Sequence, residues 1–193
     1  IPTHDRFAGA LEFAFLGLLS LPHNDDGLRW FLKDVWPLVL TRLPDARLRV
    51  IGREPQPALL RLTDTLTDSV SVEGFVPDLT DALGSAAAMI NPLRFGSGIK
   101  LKVIEALACA LPVVSTPVGA EGIDSGAGTG VLVGQTPEEF ADLLASVVEP
   151  ARNAQLSADA HAHFAQTYSR PAVFEADDEA FPLPTSGTQP SSL

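Results

Sequence analysis

Residues 91–116 read NPLRFGSGIKLKVIEALACALPVVST. A glycine-broken polar turn runs into an amphipathic stretch of helix length, and that stretch runs into the short β-branched segment PVVST. Just upstream, AAMIN at 87–91 is a second apolar segment of strand length. Strand, helix and strand in about 30 residues make one parallel β-α-β unit, the repeating element of an α/β sheet. The same alternation extends in both directions. Strands are expected at 11–17 (LEFAFLG), 46–52 (ARLRVIG), 69–75 (SVSVEGF), 87–91, 112–116 and 130–134 (GVLVG). Helices are expected near 25–42, 56–66, 79–85, 99–110, 137–148 and 151–168. An Asn24 or Asp25 cap should open the first, with Leu28, Phe31, Leu32, Val35 and Val39 on its buried side. In the helix after AAMIN the expected buried stripe is Val103, Ile104, Leu107 and Ala108.

This pattern predicts an α/β fold, a Rossmann-like doubly wound parallel six-stranded sheet in the order 3-2-1-4-5-6. The domain should occupy 11–169. Residues 1–10 read as a linker from a preceding half, and 170–193, rich in Pro, Ser and acid, as a tail unable to build a core. The chain begins at Ile1 and its single methionine is Met89, so the N-terminus was processed or the chain continues a longer one.

Of 193 residues, 46% are hydrophobic, enough for a real core. The formal charge of −11 opposes nucleic acid and anionic lipid surfaces. Cys109 is the sole cysteine, which rules out an intramolecular disulfide and leans towards a reducing, cytoplasmic setting. The apolar run LEFAFLGLLSLP contains Glu12 and is too short for a bilayer span. The chain reads as soluble.

In the expected strand order, β-strands one and four are neighbours and a crevice opens at their carboxyl ends. The loops GLLSLPHNDD and NPLRFGSG face each other there. Gly96, Ser97 and Gly98 either hold an anion at the amides of a helix start, with Lys100 and Lys102 as ammonium donors, or simply form a tight loop. Neither a dinucleotide fingerprint nor a Walker loop fits: Leu101 stands at the third glycine's place, and GIK is followed by leucine. Glu105, the only charged residue between Lys102 and Glu121, is either solvated or a crevice-wall carboxylate for paired hydroxyls. His23 in the first loop is a candidate for phosphate or acceptor contact, and for Asn24 beside it capping of the next helix explains the residue at least as well as ligand contact does. Arg53, at the crevice rim, reads as a diphosphate or base contact or as a solvated strand end. Trp30 and Trp36 should pack, His161 and His163 should be surface histidines, and Cys109 a buried small hydrophobe.

FLGLLSLPHNDDGLRWFLKDVWPLVLTRLPDARLRVIGREP, VSVEGFVPDL and PLRFGSGIKLKVIEALACALPVVSTPVGAEGI together resemble the C-terminal, donor-binding half of retaining GT-B glycosyltransferases of the glycosyl transferases group 1 family. The likeness runs from about Leu11 to Ser169. It implies a nucleoside-diphosphate sugar as donor substrate, with no other cofactor and no metal. It implies ribose binding by Glu105, diphosphate binding by the amides of Gly96, Ser97, Gly98 and Ile99 with Lys100 and Lys102, and base reading around Gly74, Phe75 and Val76. Ser97 stands where the family usually carries a sugar-contacting glutamate, the first loop lacks the usual arginine and lysine, and Ala110 replaces a common glycine. The resemblance places the acceptor site and the catalytic histidine in an N-terminal half absent from this chain, through which a peripheral membrane acceptor would be reached. The competing expectation is a degenerate nucleotide-binding or interaction module that has lost donor chemistry.

Overall fold

Strand side chains alternate between the two faces of a sheet, and strand β1 (Glu12–Leu16) uses both. Phe13 and Phe15 point to one core, Ala14 to the other, and all three are fully buried. Such a strand needs helices on both sides, which is the physical origin of the layered architecture. The computed structural model describes residues 11–169; the expected linker 1–10 and tail 170–193 lie outside the described residues.

Six strands form one parallel sheet: β1, β2 (Arg47–Ile51), β3 (Val70–Glu73), β4 (Ala88–Asn91), β5 (Val113–Ser115) and β6 (Val131–Val133). Their order is β3-β2-β1-β4-β5-β6, as the sequence pattern predicts. Phe13 lies opposite Leu48 on one side and Ala88 on the other, so β1 is central. Helices α1 (Pro22–Trp30), α2 (Trp36–Arg42), α3 (Pro57–Thr63) and α6 (Pro137–Val147) cover the face carrying Phe13 and Phe15. Helices α4 (Leu79–Ala82), α5 (Leu101–Ala108) and α7 (Pro150–His163) cover the other. Trp36 anchors the first core, edge-on to Phe13 at 6.3 Å and 5.9 Å from Phe31. Among the described residues, no helix is long and apolar enough to cross a membrane.

Several boundaries differ from the sequence expectation, each for a local reason. The first helix begins at Pro22, whose missing N–H costs nothing at a helix start, and its N-cap is Leu21 without a side-chain hydrogen bond. Asn24 and Asp25 therefore lie inside the helix and do not cap it. The expected single helix to Arg42 contains a π-helical turn, Phe31–Val35, before Pro37. A proline cannot donate to the preceding turn, so the chain adopts wider i→i+5 bonding there, as in Trp36 N–H to the Phe31 carbonyl. Helix α5 starts at Leu101 instead of 99 because Gly96 and Gly98 take φ of 117° and 78° and Lys100 remains extended. Its buried residues are Val103, Ala106 and Leu107, while Ile104 and Ala108 are only half-buried. Ala110 follows with φ of 54°, the left-handed region that favours glycine. His163 is buried rather than exposed, ring-on-edge against Tyr168 at 5.2 Å, whereas His161 is exposed. Cys109 is half-buried with its sulfur 3.8 Å from the Thr80 hydroxyl.

Gly130 precedes β6 with φ of 72°, and a Cβ there would stand 2.5 Å from the Cβ of Ala160. Gly130→Ala therefore combines left-handed strain with a clash against helix α7. We expect it to lower stability by about 2 kcal/mol in urea unfolding. A loss under about 0.5 kcal/mol, the size of an ordinary surface change, would show that α7 shifts freely over β6.

Candidate functional site

The chain leaves β1, β2 and β3 at the same end of the sheet. Backbone hydrogen bonds continue past the strand ends: Gly17 N–H to Ile51 O at 3.1 Å, Gly52 N–H to Glu73 O at 2.9 Å, and Leu19 N–H to Arg53 O at 2.9 Å. Glycine is required where these ends cross, because a Cβ on Gly52 would fall 1.9 Å from the carbonyl oxygen of Gly17. Above this floor lies a cavity of about 280 Å³. Its wall includes Gly17, Arg53, Gly74, Phe75, Val76 and Glu105. Phe75 is 75% exposed and gives the rim an apolar plate; Arg53 is exposed beside it. Glu105 is both exposed and part of the cavity wall, so the two alternatives left open by the sequence coincide.

Lys102 sits one turn before Glu105 on α5, and its environment is unlike that of a surface lysine. Its Nζ donates to Asn24 Oδ1 at 2.7 Å and lies 4.5 Å above the Phe15 ring. A Cβ on Gly17 would come within 3.3 Å of the same nitrogen, so the ammonium lies close to Gly17, a residue of the cavity wall, without itself lining the cavity. Burial, reinforced by the nearby positive Lys100, pushes its pKa down to about 7. His23, half-buried on α1, is also held below its ordinary value, first by burial and then by Lys102 and Lys100. Its ring is edge-on to Phe95 at 6.5 Å, and its Cβ lies 3.9 Å from where a Gly96 Cβ would be.

The loop of Gly96, Ser97, Gly98 and Ile99 is exposed and faces His23 across the crevice. Because α5 begins only at Leu101, the amides of Gly96–Ile99 are those of a loop and not of a first helical turn, which corrects the sequence expectation. Lys100 folds back to donate to the Gly98 carbonyl.

The sequence leaves Asn24 between a cap and a ligand contact and does not single out Arg94. Asn24 is 2% exposed with both ends of its amide engaged, Nδ2 donating to Leu18 O at 2.8 Å. Arg94 makes a forked pair with Asp26, at 2.9 and 2.7 Å, that ties the glycine loop to α1. An adjacent buried polar knot, Asn91 Nδ2 to Gly119 O at 2.8 Å and Gly119 N–H to Thr116 Oγ1 at 3.0 Å, secures the loop after β5. That loop meets the site where a Cβ on Gly122 would stand 3.0 Å from Ile99.

A parallel sheet in this order, with a cavity over the carboxyl ends of β1, β2 and β3 that Glu105 lines, defines a doubly wound α/β domain of the Rossmann-like type; the loop 96–99, Lys100, Lys102 and His23 lie outside that cavity's lining. The sequence model of the family described as Glycosyl transferases group 1 matches residues 10–149, and the chain belongs to that family. It is 29% identical over 133 residues to an uncharacterized 44.6 kDa protein in the cps region of Klebsiella pneumoniae, covering 66% of this chain and 34% of that one. It is 33% identical over 139 residues to the D-inositol 3-phosphate glycosyltransferase of Rhodococcus opacus (strain B4), covering 65% and 31% respectively. The chain thus spans about a third of these curated relatives. Among solved structures, TarM superposes with a TM-score of 0.76 at 15% identity, covering 92% of this chain and 36% of that chain. Anabaena Alr3699/HepE in complex with UDP-glucose gives 0.67 at 16%, covering 90% and 49%. The fold is one half of the GT-B architecture.

Proposed function

We propose that this domain is the nucleotide-sugar-binding half of a retaining glycosyltransferase, acting with a separate acceptor-binding lobe in polysaccharide, glycolipid or other glycoconjugate synthesis. The observation that carries it is that α5 brings two charged side chains to the same end of the sheet. Glu105 lines the cavity together with Gly17 and Gly74–Val76, and Lys102 Nζ lies within 3.3 Å of where a Gly17 Cβ would stand. A nucleoside diphosphate laid along this path would place its base against Phe75 and Val76 and its ribose hydroxyls on Glu105. The diphosphate would then meet Lys102, Lys100 and the loop Gly96, Ser97, Gly98 and Ile99, with Arg53 and His23 at the two ends. The UDP-glucose complex of the HepE neighbour supports a donor of this class.

In this reading the nucleoside diphosphate leaves the anomeric carbon, and the ammonium and loop amides stabilise the negative charge that grows on it, with no metal required. Donors fixed in place before reaction commonly lower such barriers by several kcal/mol. Residues 1–193 alone would bind donor weakly and transfer no sugar, since the acceptor has no lobe to hold it.

Glu105→Ala tests the assignment directly. Two hydrogen bonds from ribose hydroxyls to a carboxylate are at stake, so UDP, GDP or ADP affinity should fall about 10-fold or more in calorimetry. The exposed position of Glu105 predicts an unchanged unfolding temperature. Equal affinity in the variant would exclude ribose binding by this residue and favour a domain kept for interaction alone.

A further inference from the structure

We propose that Asn24 is the positioning residue for Lys102, holding its ammonium at the crevice floor so that a loop without any lysine or arginine still takes part in binding the donor diphosphate. The inference rests on the donor-binding reading of the site and extends it to a residue on another element.

The geometry separates this role from a merely architectural one. Asn24 is in the first turn of α1 but caps nothing, since the N-cap is Leu21. Its Nδ2 donates to Leu18 O at 2.8 Å, which fixes the amide so that Oδ1 faces the crevice. That oxygen receives Lys102 Nζ at 2.7 Å. Gly17 makes the arrangement accessible: a Cβ there would stand 2.9 Å from Asn24 Nδ2 and 3.3 Å from Lys102 Nζ, closing the gap between the pair and the cavity. Phe15 supports the ammonium from below at 4.5 Å. With one acceptor, one ring face and burial, Nζ retains unused N–H donors, and an anion arriving over Gly17 is the partner that satisfies them. An aspartate in place of Asn24 would neutralise the lysine internally. The neutral amide orients the ammonium and leaves its charge for the ligand.

The charged and titratable groups around Lys102 are few. Helix α1 contributes His23, the preceding loop Lys100, and α5 itself Glu105 three positions on; Phe15 of β1 and Gly17 just after it add no charge. The acids of α1 nearest to Asn24 are committed elsewhere, Asp25 to Arg29 and Asp26 to Arg94. Because Lys102 titrates at about 7, donor affinity should be level below that pH and fall above it, as the ammonium loses its proton.

The test follows the Lys102 side chain by NMR with lysine labelled at Cε, and in parallel measures UDP, GDP and ADP binding by calorimetry between about pH 6 and 9. The Lys102 signal should titrate near neutrality in the unaltered chain. Asn24→Asp should raise that midpoint and carry the fall in affinity to higher pH. Asn24→Leu, of similar volume, should lower the midpoint and weaken binding at pH 7 about tenfold. A structural role alone would reduce affinity equally at every pH and leave the midpoints where they were; that result, or a Lys102 that titrates like a surface lysine, overturns the proposal. If the midpoints move with Asn24 but none of the three nucleotides binds, the positioning contact stands and the donor reading falls.

Discussion

Lys102→Met should weaken nucleoside-diphosphate binding by about 10- to 100-fold and, at the same time, make the chain more stable. The first half follows from removing a charge-assisted donor from the diphosphate path, a loss of roughly 1.5–3 kcal/mol. The second follows from the cost of burying the ammonium. In the folded chain the lysine is held at about 7, against 10.5 as its ordinary value. Below pH 7 it is charged in both folded and unfolded states, and the folded state bears the whole cost of burial and of the nearby Lys100, roughly 5 kcal/mol. Between pH 7 and 10.5 the unfolded state holds a proton that the folded state has released, so stability rises with pH. Above 10.5 neither state is charged and the rise ends. Methionine has a comparable length and no charge to desolvate, but it orphans Asn24 Oδ1, which returns about 1–3 kcal/mol of the gain. The net expectation at pH 6 is about 2–4 kcal/mol, or roughly 4–16 °C in unfolding temperature for a chain of this size. Thermal scans from about pH 6 to 10 on both chains check it: the difference should shrink as pH rises. A variant that is less stable at pH 6 would mean that the lysine is well solvated.

Trp36→Ala should be the most damaging single substitution in the first core, with a loss of about 3–5 kcal/mol. The indole is fully buried, packs edge-on against Phe13 of the central strand and against Phe31, and spans from α2 to the turn before β3 through Nε1–H to Ser69 Oγ at 3.1 Å. Truncation opens a cavity between two helices and the sheet while leaving the Ser69 hydroxyl without that donor. Urea unfolding followed by circular dichroism would measure it. Trp36→Phe separates the contributions, since it keeps most of the packing and loses the hydrogen bond, and about 1–2 kcal/mol is expected. If the alanine variant lost less than about 1.5 kcal/mol, α2 would have to collapse onto β1 without strain.

The strands were legible because a strand buried on both faces must be apolar at nearly every position, and FAF, AMIN and VVS satisfy that with no tertiary information. Helix boundaries were less legible. The first helix begins at Pro22, two residues before the Asn24–Asp25 pair that the sequence offers as its cap, because Pro22 at a start competes effectively with side-chain capping. The start of α5 moved to Leu101 because two glycines adopted positive φ, a conformation glycine permits without requiring it. His163 differs from its expected exposure for another reason: its burial against Tyr168 depends on how the chain turns after α7, and the helical spacing of two histidines carries no trace of it.

The order of its residues alone predicts a doubly wound parallel sheet, which the structure shows, and a crevice at the ends of β1 and β4, whereas the cavity lies over the ends of β1, β2 and β3; Glu105 and Lys102 are singled out by charge in an apolar helix. Those are local properties, expressed in periodicity and composition. Only the tertiary structure decides what the side chains meet. The contact between Asn24 and Lys102 joins positions 78 apart, and the desolvation of that ammonium arises from Phe15 beneath it and Gly17 beside it. A pKa near neutrality is a property of a surrounding volume, and that volume is assembled from segments that the chain order keeps far apart.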